Sequence, residues 1–452
     1  MMIDLTKGDI DKHLIKLALP GIGGGLMFTM FNITDTYFVG KLGTESLAAM
    51  GFTFPIVMLA SAIAMGISAG AASVLSRAAG KNDRYLMKRT ATDGILLSII
   101  VVLLFSVIGI LTMDIVFPLL GADELTLPIV KEYMIVWYSC SVVVLMPPIS
   151  DASMRAVGDT FRPFIVMSVC AVMNIILDPI LIFGWFGFPA LGVKGAAIAT
   201  VISRFGGMLT TLYFVHSHHK LIEFKIPKFN EITESWKNIL CVGIPAICIA
   251  IFPQLLRSML TSQAASTGGV VAVAAIAVGS RIEGFAYIVT QAIGTSLVPV
   301  IGQNWGAKCI DRVSHTRKLI NKHAILLGII IMTIMTVIAE PTIKLFTKDA
   351  DVITYTVRYI RILMIGAIGL NLYSWNCQAL NSVGKATWSL VINGGGTVIF
   401  MIPLLYLGSK FSFSVMILGL VIGQIIVGII SVYIAREQLK YEGAMEMFEY
   451  SI

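Results

Sequence analysis

Apolar runs long enough for a helix to cross a bilayer recur along the whole chain. A helical crossing needs about 20 such residues. Twelve segments qualify: 14–39, 47–75, 90–114, 129–150, 161–183, 191–215, 236–262, 271–298, 321–341, 357–379, 387–407 and 412–435. Only helices and closed barrels satisfy their backbone polar groups in hydrocarbon. The alternating pattern of barrel strands is absent, which leaves helices. Charged residues make up 13% of the chain, against about 25% in a soluble domain. The expected fold class is therefore an all-α polytopic membrane protein with twelve transmembrane helices.

The runs are organised as a doubled sequence. Gly80 in Ser76-Arg77-Ala78-Ala79-Gly80 falls on Gly306 in Gly302-Gln303-Asn304-Trp305-Gly306, and Gly158 in Ala156-Val157-Gly158 falls on Gly384 in Ser382-Val383-Gly384. Leu47-Ala48-Ala49-Met50 falls on Val273-Ala274-Ala275-Ile276, at a spacing of half the 452 residues. Residues 1–216 are read as an N-terminal six-helix bundle, 217–235 as a polar cytoplasmic linker and 236–452 as a C-terminal six-helix bundle. The two bundles are pseudo-symmetric. Six is even, so both enter the membrane the same way, an arrangement typical of transporters built from parallel repeats.

Lys and Arg set the orientation. With the amino terminus inside, 22 of the 33 basic residues fall in inside segments and 6 outside. Both termini are expected in the cytoplasm of a multi-pass cell-membrane protein. Met1 to Leu14 is polar and charged, so a cleaved leader is not expected. The six cysteines are scattered without metal or disulfide spacing. His216, His218 and His219 are read as a wet loop start.

No phosphate-binding loop, zinc-hydrolase motif or nucleophile elbow occurs, so neither an ATP-driven pump nor an enzyme is expected. Acidic residues within the spans are functional candidates by default, because a charge in hydrocarbon is costly. Asp35 lies in span one and Asp178 in span five, both about 6–8 Å below the same end at 1.5 Å per residue. Asn174 and Asp178 share a helical face at i and i+4, and Asn32 and Asp35 are read as facing together at i and i+3. Thr200 enters from span six. Carboxyl groups in a half-dry cavity can exchange a proton with water, and the same oxygens could hold Na⁺. Tyr37, Met27 and Met173 are further cavity candidates, methionine being adaptable to varied ligands. Pro20, followed by Gly23, Gly24 and Gly25, marks a hinge in span one. In the second half, Glu283 is expected to bond Arg257 or a polar neighbour such as Gln254 or Gln291, as polar glue.

The chain resembles the multidrug and toxic compound extrusion (MATE) family over nearly its whole length. The resemblance rests on Ala18-Leu19-Pro20, on Asp35 with Val39-Gly40-Lys41-Leu42-Gly43, and on Arg155-Ala156-Val157-Gly158-Asp159-Thr160. It also rests on Asn174-Ile175-Ile176-Leu177-Asp178-Pro179, Gly195-Ala196-Ala197-Ile198-Ala199-Thr200 and Val300-Ile301-Gly302-Gln303-Asn304-Trp305-Gly306-Ala307. Asp35, Asn174, Asp178 and Thr200 match the DinF-like branch. The NorM-like branch instead carries acidic residues in spans seven and ten, where this chain has Gln254, Arg257, Asn371 and Asn376.

The resemblance implies a V of two bundles that alternates its access. It implies export of bulky amphiphilic or cationic compounds driven by inward H⁺, with Na⁺ as the other candidate. Protonation of Asp35 would bend span one near Pro20 and expel the compound. No cofactor and no nucleic acid are expected, and the protein is read as a monomer in the lipid bilayer. The alternative is a lipid or lipid-linked oligosaccharide flippase of related architecture, against which the acidic first-half cavity speaks.

Overall fold

The computed structural model describes residues 3–223 and 228–440; residues 224–227 of the expected linker and 441–452 at the carboxyl end lie outside the described residues. Among the described residues the chain is helical, with no strand. Ten helical segments are long and apolar enough to cross a membrane, and Thr126–Ser139 with Ser141–Ala156 forms one more, bent by 53°. One of the ten runs from Phe229 to Gly306, 78 residues. At 1.5 Å per residue it is several times the thickness of a bilayer. It breaks at Gly269, whose φ of 61 and ψ of −151 no helix contains, giving spans seven and eight. Twelve crossings result.

The helices overrun the apolar windows. Span one is Ile10–Gly40, span two Thr44–Gly80, span three Arg84–Leu119 and span nine Ile310–Ile343. Apolarity marks where a helix meets hydrocarbon, whereas caps mark where it ends. Asp83, for example, accepts from the Leu86 N–H and opens span three. Span four, expected at 129–150, extends to Ala156 and bends at Cys140, not at Pro147 or Pro148.

The sequence doubling is also a doubling of backbone. Gly43 and Gly269, Asn82 and Lys308, and Gly158 and Gly384 all have positive φ, and the members of each pair are half a chain apart. Gly158 at φ 85 and Gly384 at φ 87 make the same turn in the left-handed region, where glycine carries no penalty. The bend at Cys140 answers the 3₁₀ turn Met364–Gly366 in span ten.

Two compact units emerge, one built mainly from Lys12–Ile247 and the other from Cys248 onward with Leu5–Asp11. The division falls within span seven, later than the 217–235 linker. The beginning of span seven packs on spans two and three: Ile239 joins Ile67, Ala71, Val74 and Leu97, and the Trp236 indole donates to the Asp93 carbonyl at 3.1 Å. In the second unit, Leu5 is held by Gln303 and Asn304, through Leu5 N–H to Gln303 Oε1 and Asn304 Nδ2 to Leu5 O, both 3.1 Å. The Gln303-Asn304 motif thus anchors the amino-terminal segment.

Packing relies on close backbone approach, as expected where lipid gives no hydrophobic drive between helices. A Cβ on Gly195 would lie 2.3 Å from the Leu181 carbonyl oxygen, and one on Gly419 2.2 Å from that of Leu404. Valine at either position would push the helices apart.

Candidate functional site

Span one presents one buried stripe to the first unit. Phe31, Asp35 and Val39, at i, i+4 and i+8, are 5%, 9% and 0% exposed. Asn32 is exposed and donates back to the Phe28 carbonyl at 2.7 Å. It therefore does not share the face of Asp35; Phe31 does. Tyr37 is 57% exposed, with the Lys41 ammonium 4.5 Å above its ring. Two residues beyond Asp35 lies about 200° around the helix, which takes Tyr37 out of the cavity. Met27 is half-buried. Pro20 is accommodated in an unbroken helix, which continues through Gly23, Gly24 and Gly25. A Cβ on Gly23 would meet the Phe164 ring of span five at 2.8 Å.

Spans five (Phe161–Phe183) and six (Gly192–Tyr213) close the other side. Asn174 and Asp178 are fully buried, and Asn174 Nδ2 donates to Asp178 Oδ1 at 3.0 Å. The two helices meet at Gly195 against Leu181 and at Gly206 against Met173. That register sets Thr200 across from Asp178 and makes Met173 a packing side chain. Asp35 and Asp178 are within reach of each other's charge. Four oxygens stay buried without a partner: Asp35 Oδ1, Asn174 Oδ1, Asp178 Oδ2 and Thr200 Oγ1. Buried polar atoms are nearly always paired, so four such oxygens from three helices make an unsatisfied polar cluster. Neutral and anionic oxygens in this number suit a proton, a hydrated proton or a hard cation.

Several members were not singled out from sequence. Tyr133 of span four, 6% exposed, lies within electrostatic reach of Asp35, Asp178 and Arg204. The Arg204 guanidinium, 8% exposed, stacks 4.7 Å from the Phe31 ring and approaches Met167 Sδ at 3.9 Å. Asp151, which accepts from Thr211 Oγ1 at 3.3 Å, is coupled to Arg155 and Arg204. The i, i+4 spacing of Asp151 and Arg155 was available, but a span ending at residue 150 placed both in a loop. Tyr133 could have been found from the doubling, since Tyr359 stands half a chain away.

The histidine expectation is corrected at one position. His216 and His218 are exposed, whereas the His219 side chain is buried and bonds Asp159 at 2.9 Å, and Asp159 also pairs with Arg162. Burial alone would raise the Asp159 carboxyl; the hydrogen bonds from His219 and Arg162 outweigh it and hold the group well below the usual carboxylate range. Among the described residues no cluster of His, Cys, Asp and Glu could hold a metal ion. The polar neighbour that Glu283 bonds is Tyr359, whose hydroxyl donates to its carboxylate at 3.2 Å, with Arg257 in electrostatic reach.

Twelve apolar helices in a doubled arrangement, with a buried polar cluster in one half, define a membrane-transporter architecture. The chain belongs to the MatE family, whose profile matches residues 20–180 and 245–407. It is 31% identical over 433 residues to a FAD transporter from Shewanella oneidensis, covering 96% of each chain. It is 28% identical to a probable multidrug resistance protein NorM from Thermotoga maritima, covering 92% of this chain and 89% of that one. The structure of the D35N mutant of the Vibrio cholerae MATE transporter VcmN superposes with a TM-score of 0.90 at 29% identity, covering 96% and 97% of the two chains. The same transporter in its bent form gives 0.89 at 30% identity, covering 95% and 96%. The protein is a multi-pass membrane transporter, not an enzyme.

Proposed function

We propose that this chain is a cation-coupled exporter of bulky organic compounds in the cytoplasmic membrane, a monomer with both termini inside. The observation that carries the reading is the set of unpartnered buried oxygens on Asp35, Asn174, Asp178 and Thr200. A proton entering from outside neutralises Asp35 or Asp178, removes their mutual repulsion and lets span one move against spans five and six. Pro20 lacks one helical hydrogen bond and is the weakest point for that movement. The bent form of VcmN supports a bending scaffold in a relative. H⁺ is the favoured ion and Na⁺ the second, since the same oxygens serve either. One charge moving through 100 mV supplies about 2.3 kcal/mol.

Two substrate classes compete. Amphiphilic or cationic drugs follow the relatives named for multidrug resistance, and an anionic flavin dinucleotide follows the Shewanella oneidensis relative. The test uses proteoliposomes loaded with ethidium or FAD, with ΔpH and Na⁺ gradients imposed separately. Wild-type protein should export under ΔpH, and Asp35→Asn and Asp178→Asn should each slow gradient-driven export at least tenfold. Normal gradient-driven export by both variants at every pH would remove the coupling site.

A further inference from the structure

We propose that the exposed face of span seven in the second unit binds a phosphate ester of the transported compound, with Arg257 as the anchor. The inference rests on the exporter reading and chooses the flavin dinucleotide class within it. Gln254, Arg257, Ser258, Thr261 and Ser262 line an open, shallow depression on the surface of span seven. Their spacing, i, i+3, i+4, i+7 and i+8, puts all five on one helical face. Leu260 and Ala264, at 5% and 0% exposure, are buried inside the unit. Arginine at the centre of a lipid-facing helix costs about 2.5–3.5 kcal/mol even on insertion scales. An uninterrupted polar face carrying one therefore belongs to an aqueous cavity or a ligand.

The chemistry of the face is that of an anion receptor. Arg257 is exposed, and a guanidinium can offer a phosphate two parallel N–H donors. Ser258, Ser262 and Gln254 add neutral donors around it. Thr261 is engaged with the Arg257 carbonyl at 3.0 Å, which leaves the arginine side chain unencumbered by it. The carboxylate that faces Arg257 is Glu283 of span eight, coupled to it electrostatically but taking its hydrogen bond from Tyr359. Tyr287, one turn beyond Glu283 and 37% exposed, is within electrostatic reach of Arg257. An aromatic ring beside a guanidinium suits a ligand that joins a flat heterocycle to a phosphate. A cationic drug gains nothing from such a face.

The test is fluorescence titration of the purified full chain in uncharged detergent with FAD, riboflavin and ethidium. Riboflavin shares the flavin ring and lacks the phosphates. Wild-type protein should bind FAD at least tenfold more tightly than riboflavin. Arg257→Gln should abolish that preference and Arg257→Lys should keep part of it, with riboflavin and ethidium affinities within twofold of wild type in both. Unchanged FAD binding by Arg257→Gln overturns the proposal, as does an equal loss of all three ligands. Repeating the titration with added phosphatidylglycerol separates the two sources of phosphate: Arg257-dependent lipid binding alongside Arg257-independent FAD binding would assign the face to a lipid headgroup and overturn the substrate role. If wild-type protein binds no FAD, this inference fails. The exporter reading is then still judged by ethidium export and its loss in Asp35→Asn.

Discussion

Tyr133 and Tyr359 stand at matching places in the two halves, each against acidic side chains, yet their surroundings differ. Around Tyr133 are Asp35, Asp178 and Arg204, with oxygens of both aspartates unpartnered. In the second unit the polar atoms are largely spoken for. The Tyr359 hydroxyl donates to Glu283, Thr290 Oγ1 donates to Asn371 Oδ1 at 2.8 Å, Asn371 Nδ2 to the Ala324 carbonyl at 3.2 Å, and the Trp375 indole to the Thr290 carbonyl at 2.9 Å. The cavity bounded by Glu283, Tyr287, Thr290 and Gln424 is small, about 30 Å³, space for about one water. One duplicated scaffold thus holds an unsatisfied polar interior in one half and a largely satisfied one in the other. Satisfied polar networks rigidify a bundle, whereas unsatisfied ones wait for a ligand or a proton. The proposed coupling site accordingly lies in the first unit.

The strongest way to break the comparison is to remove the fixed positive charge from the first unit. Arg204→Leu strips Asp151 of one counter-charge and Phe31 of its cationic partner. Removing one partner of a buried charged set costs about 3–5 kcal/mol. Thermal unfolding in detergent should shift by many degrees, and Arg204→Lys should recover part of the loss. A variant as stable as wild type would mean that Arg155 alone suffices as the counter-charge of Asp151. In the second unit, Asn371→Leu should cost about 1–3 kcal/mol by leaving Thr290 and the Ala324 carbonyl unpaired. Its gradient-driven export, corrected for folded protein, should stay within twofold. A changed ion dependence in Asn371→Leu would place coupling in both halves and end the contrast.

The latch outside the spans sharpens the comparison by pH. Asp159 is held below its usual range by His219 and Arg162. A group depressed in the folded state contributes stability above its unfolded value and loses it as pH falls toward the folded one. Asp159→Asn should therefore lower stability by about 1–3 kcal/mol near pH 7. The gap between variant and wild type should narrow below about pH 4, where an unfolded aspartate protonates. A pH-independent gap would show that packing, not charge, makes the latch.

Much of this was legible in the sequence. The doubling, the twelve crossings and the face shared by Asn174 and Asp178 are written in periodicity and offset. The doubling does not repeat the carboxylates: Asp35 falls opposite Thr261 at the half-chain offset, or Leu260 when Pro20 is set on Pro245, Asn174 falls opposite Phe400, and Asp178 opposite Leu404, or Ile402 when Pro179 is set on Pro403. What was not legible depends on knowing where helices end and which way they turn. Asp151 and Arg155 looked like loop residues because span four continues past its apolar window. His219 looked wet because its partner, Asp159, is 60 residues away.

Tyr37 offers the smallest effect and a sharp check on the geometry of span one. Proximity in sequence to Asp35 suggests a cavity residue, whereas the buried stripe of span one is Phe31, Asp35 and Val39. The Tyr37 ring contacts Lys41 and the edge of Phe38, at 4.5 and 5.4 Å, on the exposed side. Tyr37→Phe keeps the ring and removes only the hydroxyl, so stability should stay within about 0.5 kcal/mol, as for most surface changes. Export rate and its pH dependence should match wild type within twofold. A shifted pH profile in Tyr37→Phe would mean that span one turns in the working transporter, bringing the other face of the helix to the carboxylates.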